Sequence, residues 1–159
     1  MIKFCLLYLL LSSSGFYWPS STPPEFIDPT GTYILKGVIE KNVIKSHYGE
    51  LRVKLLNRQL AAVCFYINTG YPDYKSGSFL DTLPYEEDHL QYKPPGKDDC
   101  SLFFYFGPQA AEIQQAYADP HSSCGFAKDV IISTFFKKYS DEKPVIQDLS
   151  MHGMVPDAG

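Results

Sequence analysis

The chain has 159 residues and a formal net charge of −4, with 14 Lys and Arg against 18 Asp and Glu. This charge balance excludes a nucleic-acid binder, which needs a basic surface to neutralise phosphates, and the length favours one domain over two. Aromatic residues make up 15% of the chain and charged residues 20%, which excludes a disordered chain, and no Gly period or heptad pattern indicates a fibrous protein.

The first fifteen residues have the features of a secretory signal peptide. Residues 1–3 are a short positive region, residues 4–11 are apolar, and residues 12–15 supply the small side chains that precede cleavage, near Gly15 or a few residues later. The alternative, a buried N-terminal strand, does not explain these flanks. Crossing a bilayer as a helix needs about 20 apolar residues, so no membrane span is predicted. We expect an exported protein, periplasmic or secreted, whose net charge after loss of Lys3 is −5.

Short strands with a period of two follow an extended lead-in at residues 16–31. The clearest hairpin joins residues 48–56 to residues 60–67 through a polar turn at Asn57-Arg58. Residues 109–118 are ambiguous, because Ala, Glu and Gln favour helix whereas their place in the series favours strand. The other predicted strands are residues 32–40, 78–85, 89–93, 101–106 and 130–138.

About eight short strands joined by turns predict an all-β fold, a single antiparallel up-and-down barrel over residues 32–139. The prediction includes room for one short helix near residues 122–129 and a loose tail at residues 140–159. Five phenylalanines are expected to point into the barrel, where they either fill the core or line a cavity for a small apolar ligand; they are Phe65, Phe79, Phe103, Phe104 and Phe106.

Three cysteines remain after signal-peptide removal, so at most one internal disulfide forms. Cys64 lies in an apolar run typical of a buried thiol, whereas Cys100 and Cys124 lie beside polar turns. We predict the Cys100–Cys124 pair, with three free thiols as the alternative.

No catalytic, cofactor or metal site is predicted. His47, His89, His121 and His152 lack the spacing of zinc ligands. His121 and Cys124 could form a base and a thiol nucleophile, but a disulfide explains Cys124 more simply. We therefore expect a protein that is not an enzyme.

Two sets of residues are candidates for binding. Tyr71, Tyr74, Lys75 and Ser76 combine rigid aromatic groups with polar neighbours on one loop, as in protein-recognition sites; the alternative is a turn that packs its own tyrosines across the barrel mouth. Glu86, Glu87 and Asp88 form an acidic turn, which is either simply solvated or a rim that attracts a basic partner.

Several pieces of the chain resemble an uncharacterised family of exported bacterial proteins. They are GTYIL from Gly31, YGELRVKLL from Tyr48, TGYPDYKSGSFLDTLPY from Thr69, DDCSLFFYF from Asp98, and CGFAKDV with FFKK from Cys124. That family is regarded as lipocalin-like or calycin-like, and some members are labelled lysozyme-inhibitor-like. The resemblance spans residues 31–146, also implies the Cys100–Cys124 pair, and makes Ser76-Gly77 loosely similar to the Ser-Gly loop of periplasmic lysozyme inhibitors.

From these features we expect an exported protein-binding barrel that inhibits a cell-wall hydrolase such as a lysozyme, or that acts as an immunity protein against a toxin. The loop would plug a cleft of the basic partner while the acidic turn contributes at the rim. The alternative function is the transport of a small apolar ligand inside the barrel.

Overall fold

The structure, a computed structural model, describes residues 25–97, 99–117, 124–127 and 129–149. The predicted signal peptide, most of the lead-in and residues 150–159 of the predicted tail lie outside these ranges. The described strands are β1 (Gly31–Leu35), β2 (Ile39–Glu40), β3 (Val43–Ile44), β4 (Tyr48–Asn57), β5 (Leu60–Asn68), β6 (Ser76–Glu86), β7 (His89–Tyr92), β8 (Cys100–Phe106), β9 (Ala110–Tyr117) and β10 (Thr134–Ser140).

Eight of these strands form a closed antiparallel barrel. Their order around the barrel is β1-β10-β9-β8-β7-β6-β5-β4, while β2 and β3 form a separate two-stranded hairpin. Barrel strands that follow one another in the chain are neighbours, and closure pairs the strand edges that would otherwise be exposed. The predicted all-β class and single up-and-down barrel are therefore confirmed.

The hairpin of β4 and β5 has the facing expected from its alternation. Leu51 and Val53 are fully buried, whereas Lys54, the residue after Val53, is exposed. The turn lies at Arg58 and Gln59, one residue later than predicted, because Asn57 still pairs with β5.

Aromatic rings fill the centre of the barrel. The Phe65 ring centroid lies 5.5 Å from those of Phe79 and Phe104 and 5.8 Å from that of Phe136. Phe79 also stacks on Tyr92, with centroids 3.8 Å apart. Such close, mostly tilted contacts are those of a packed core.

Phe103 does not belong to this core, contrary to the prediction. Successive side chains of a strand point to opposite faces, so Phe104 and Phe106 in β8 face inward while Phe103 and Tyr105 face outward. The two outer rings stack at a centroid distance of 6.0 Å.

Three other segments differ in detail from the expected strands. Residues 109–118 contain the strand β9, because pairing with β8 and β10 on both sides outweighs helical propensity. Residues 130–133 bend before β10 begins, and the buried Val130 packs on the core without strand pairing. Residues 36–38 divide the predicted first strand into β1 and β2.

The predicted short helix near residues 122–129 is absent from the part of that segment that is described. Residues 124–126 and 129 form turns and a bend, residue 127 is irregular, and residues 122, 123 and 128 lie outside the described ranges. Within residues 25–97, 99–117, 124–127 and 129–149, no helix is long and apolar enough to cross a membrane.

The predicted disulfide joins the start of β8 to the connection between β9 and β10. The Cα atoms of Cys100 and Cys124 are 5.2 Å apart, a usual separation for a disulfide. The bond is compatible with an oxidising compartment.

Cys64 is a free cysteine that is covered from outside the barrel. Its neighbours in β5 face the core, so its thiol lies on the outer wall, where the backbone N–H of Gln147 reaches it. Arg52 Nη1 donates to the Val145 carbonyl at 3.3 Å, and Leu149 is fully buried. The tail that was expected to be loose therefore lies against the barrel wall as far as residue 149.

Candidate protein-binding site

The loop between β5 and β6 lies at one end of the barrel and carries the predicted Tyr71, Tyr74 and Lys75, with Ser76 as the first residue of β6. Because strand direction alternates, the β1–β4, β7–β8 and β9–β10 connections lie at the same end. All four predicted residues are exposed. We call this end the loop end.

Asn68 gives the loop a hydrogen-bonded frame. Its side-chain amide donates to the Tyr74 carbonyl at 3.1 Å, and its Oδ1 accepts the Gly70 N–H at 2.8 Å. At the loop neck, the Thr69 N–H donates to the Lys75 carbonyl at 2.9 Å, and the Lys75 N–H donates to Thr69 Oγ1 at 3.1 Å. Asn68 is only 5% exposed, so water competes weakly for its bonds.

Two half-exposed tyrosine rings form the centre of the loop surface. Tyr71 is 47% exposed and Tyr74 is 45% exposed, and their centroids are 6.3 Å apart with the rings nearly perpendicular, at 82°. Lys45 Nζ lies 3.6 Å from the Tyr71 centroid, a cation–π contact. Rings held in this way lose little side-chain entropy when a partner covers them.

The β2–β3 hairpin extends the same surface. The Tyr71 N–H donates to the Ile44 carbonyl, and the Lys45 N–H donates to the Val38 carbonyl, both at 2.7 Å. Val38 and Ile39 are more than half exposed. We call the resulting surface the tyrosine face; it consists of Val38, Lys45, Tyr71 and Tyr74.

Gly70 permits the close contact between the loop and the hairpin. Its φ is +74°, in the left-handed region, and a Cβ there would lie 2.7 Å from the Ser46 carbonyl oxygen and 2.8 Å from that of Ile44. Any other residue would be strained in its backbone and would also clash.

A second tyrosine pair supports the loop. The centroids of Tyr48 and Tyr66 are 6.4 Å apart, and the Tyr66 hydroxyl accepts a hydrogen bond from Asn68 Nδ2 at 3.2 Å. Burial, followed by the proximity of Tyr66 and Tyr74, raises the pKa of Tyr48 to about 12. Tyr48 therefore carries no charge near neutral pH.

The predicted acidic residues lie at the opposite end of the barrel from the loop. Glu86 is the last residue of β6, and Glu87 and Asp88 form the turn to β7. Since Ser76 is the first residue of the same strand, a rise of about 3.3 Å per residue separates the two sets by roughly 30 Å. The acidic turn therefore does not lie at the rim of the loop, contrary to the prediction.

Asp88 has a structural role at that opposite end. Its Oδ1 accepts the Ile27 N–H at 3.2 Å, and its carbonyl accepts the Phe106 N–H at 2.8 Å. The Tyr85 hydroxyl donates to the Ile27 carbonyl at 2.5 Å. Asp88 and Tyr85 therefore hold the segment before β1 across the barrel end, while Glu86 and Glu87 remain exposed to solvent.

The hairpin and the loop differ in charge from the opposite end of the barrel. The hairpin and loop segments, residues 36–45 and 69–75, contain four lysines and two carboxylates. The segments at the opposite end contain seven carboxylates and two basic residues; they are residues 25–30, 57–59, 86–88 and 141–143. The tyrosine face is thus locally positive on a chain whose net charge is negative.

Two surface clefts lie away from the tyrosine face. The larger, of about 420 Å³, is lined by residues 142–145 and by Thr32 and Arg52 of the outer wall, and the smaller, of about 220 Å³, lies beside Phe26. Among the described residues, no group of three or more His, Cys, Asp or Glu side chains could hold a metal ion. The disulfide occupies the thiol of Cys124, and its suggested partner His121 lies outside the described ranges.

Sequence reasoning missed the contribution of the hairpin. It placed Val38 and Ile39 in one continuous strand, where alternate side chains would be buried. The available signal was Lys41-Asn42, which adopts φ values of +50° and +63° in a tight turn. Asn is common in such two-residue hairpin turns.

No model of a known protein family, no curated protein and no solved structure matches this chain. The resemblance to exported lipocalin-like proteins therefore stays a prediction.

Proposed function

We propose that the chain is an exported, non-enzymatic binding protein that docks on a partner protein through the tyrosine face. The observation that carries this proposal is the Tyr71–Tyr74 pair, whose rings are nearly half exposed, crossed at 82° and contacted by Lys45. Large aromatic side chains in a fixed frame are the usual anchors of protein interfaces.

The proposed partner is a basic cell-wall hydrolase of the lysozyme type. At long range, a net charge of −5 after signal-peptide removal attracts a basic protein. At short range, the tyrosine face and its neighbour Lys75 are positive, whereas glycoside hydrolases hold two carboxylates in the active-site cleft. A locally positive loop on an acidic protein therefore complements an acidic cleft in a basic protein.

Inhibition then follows from occupation of the cleft. Tyr71 and Tyr74 fill space that sugar rings occupy during hydrolysis, and Lys75 reaches the catalytic carboxylates. Lys75 is available for this because its present partner, Asp73, lies 3.5 Å away in an exposed pair, and such pairs are weak. Ser76 adds a hydroxyl at the edge of the contact. No covalent bond forms or breaks.

The alternative of a small-ligand carrier receives no support from the barrel interior. Phe65 contacts Phe79, Phe104 and Phe136 in the region where such a ligand would lie. We therefore develop only the binding-protein proposal.

The test is the lysis of a cell-wall suspension by a basic lysozyme in the presence of the exported chain. The wild-type protein is expected to inhibit, and a Tyr71→Ala, Tyr74→Ala variant is expected to inhibit at least about 30-fold less well, the effect of losing one strong anchor. Tyr139→Ala is the matched control, because Tyr139 is 70% exposed but lies near the opposite barrel end. Absence of inhibition by the wild type, or equal inhibition by the double variant, would contradict the proposal.

A further inference from the structure

A row of side chains crosses the outer wall of the barrel over five strands. Cross-strand pairing joins Glu86 of β6 to His89 of β7, His89 to Tyr105 of β8, Tyr105 to Glu112 of β9, and Glu112 to Phe135 of β10. Directly paired residues share a face of the sheet. This face is the outer one, because the chain neighbours of the row are buried; they are Tyr85, Leu90, Phe104, Phe106, Ala111, Ile113 and Phe136. We call the five residues of the row the outer ladder.

Two aromatic members of the outer ladder are exposed, and one of them contacts neighbouring rings. Phe135 is 60% exposed and Tyr105 is 39% exposed. The ring centroids of His89 and Tyr105 lie 5.5 Å apart, with an interplanar angle of 32°. Phe103, two residues before Tyr105 in β8, stacks on the Tyr105 ring with a centroid distance of 6.0 Å and an interplanar angle of 15°. Exposed aromatic rings on one wall of a barrel are typical of a contact site.

The two carboxylates of the outer ladder form no ion pair with any lysine, arginine or histidine that the structure describes. Neither Glu86 nor Glu112 takes part in any of the ion pairs found among the described residues. Glu112 accepts a neutral hydrogen bond from Gln114 Nε2 at 2.9 Å. Lys137 stands diagonally from Glu112, two residues along β10 from Phe135, without pairing with it.

We propose that the outer ladder binds an extended, arginine-bearing segment of a partner protein. A guanidinium can donate its N–H fork to a carboxylate while its flat face stacks on an aromatic ring. Glu112 offers the carboxylate between the exposed rings of Tyr105 and Phe135, and Glu86 offers a second one beside His89. This combination of charge and ring faces selects arginine over neutral side chains.

The strand spacing also sets the spacing of the arginines. Glu86 and Glu112 are three strand spacings apart, about 14 Å at ~4.8 Å each, and an extended segment covers that distance in about four residues. The segment is therefore expected to carry two arginines four positions apart. This surface is on the barrel wall, away from the tyrosine face, so its test is independent of hydrolase inhibition.

The experiment is an NMR titration of the labelled protein with a Gly/Ser peptide that carries two arginines at this spacing. A peptide with citrulline in place of both arginines is the neutral control of nearly equal shape. We expect chemical-shift changes centred on the outer ladder, with an affinity for the arginine peptide that Glu112→Gln and Phe135→Ala each lower about fivefold. Glu40→Gln removes the same charge at the loop end and is expected to leave the affinity nearly unchanged.

Three results would overturn the proposal. The first is equal binding of the citrulline peptide, and the second is wild-type affinity in Glu112→Gln. The third is concentration-dependent self-association that Phe135→Ala abolishes, which would assign the surface to a second copy of the chain. Because Phe135 is exposed, its variant is expected to fold normally, and unchanged circular dichroism checks this.

Discussion

Phe135 and Phe136 are adjacent in β10 and offer a matched test of the barrel. Phe136 is fully buried and its ring centroid lies 5.8 Å from that of Phe65, whereas Phe135 is 60% exposed on the outer wall. Replacing either with alanine removes the same atoms from the same strand. The difference in the free energy of unfolding between the two variants therefore measures which ring faces the core.

The expected magnitudes are well separated. Phe136→Ala removes a buried ring and leaves a cavity, which costs about 3–5 kcal/mol. Phe135→Ala changes an exposed position and is expected to stay within about 0.5 kcal/mol. If Phe136→Ala is too unstable to fold, Phe136→Leu keeps part of the ring's volume and is expected to cost about 1–2 kcal/mol.

Urea unfolding followed by circular dichroism gives both free energies. Because a one-residue register shift would exchange the two faces of β10, the opposite ranking would refute the register described here. Equal costs for the two alanine variants would mean that β10 is not part of a closed barrel with one buried face.

The remaining predictions concern the disulfide, alkaline stability and Cys64. The double substitution Cys100→Ser, Cys124→Ser removes a disulfide between residues 24 positions apart and is expected to lower the free energy of unfolding by about 3 kcal/mol, measured by thermal unfolding. A reductant should leave the melting temperature of this variant unchanged. Burial, followed by the nearby charges of Asp141 and Asp28, raises the pKa of Tyr33 above its ordinary 10.0, so the unfolded chain loses the Tyr33 proton at a lower pH than the folded chain does. The contribution of Tyr33 to the free energy of unfolding is therefore complete below pH 10 and falls as the pH rises above it. Tyr33→Phe should flatten this decline when unfolding is measured as a function of pH. Cys64 should react slowly with a thiol reagent in the folded chain and much faster in a chain truncated after residue 140. Equally slow labelling of the folded, truncated chain would show that residues 141–149 do not cover the Cys64 thiol.

The parts of the fold that the sequence predicted correctly are those that depend on local alternation. Leu51 and Val53 alternate with charged residues, so the facing of β4 followed from a period of two. The prediction for Phe103 was wrong because residues 103–106 are all aromatic, so no polar residue marks which side chains face outward. The ambiguity of residues 109–118 was resolved by pairing with strands on both sides, which is a tertiary effect.

The candidate site was predictable only in part, for a geometric reason. The tyrosine loop is continuous in the chain, so its composition was visible at once. The acidic turn follows the loop closely in the sequence, but β6 carries the chain from one barrel end to the other between Ser76 and Glu86. Such separation follows from the length of this strand.

Contacts between distant segments could not be derived from composition. The contact between Gln147 and Cys64 joins positions more than 80 residues apart. The outer ladder depends on the register of four strand pairs. An apolar run around Cys64 predicted burial, but not the direction from which the thiol is covered. Single-sequence patterns carry no information on such pairings.

Hydrogen exchange of the protein, measured with and without a basic lysozyme, tests the proposed docking most directly. Docking through the tyrosine face predicts slower exchange, on complex formation, of backbone amides in residues 38–45 and 69–75, with little change in residues 86–88 at the opposite end. Unchanged exchange in the loop, or protection confined to the acidic end, would contradict it.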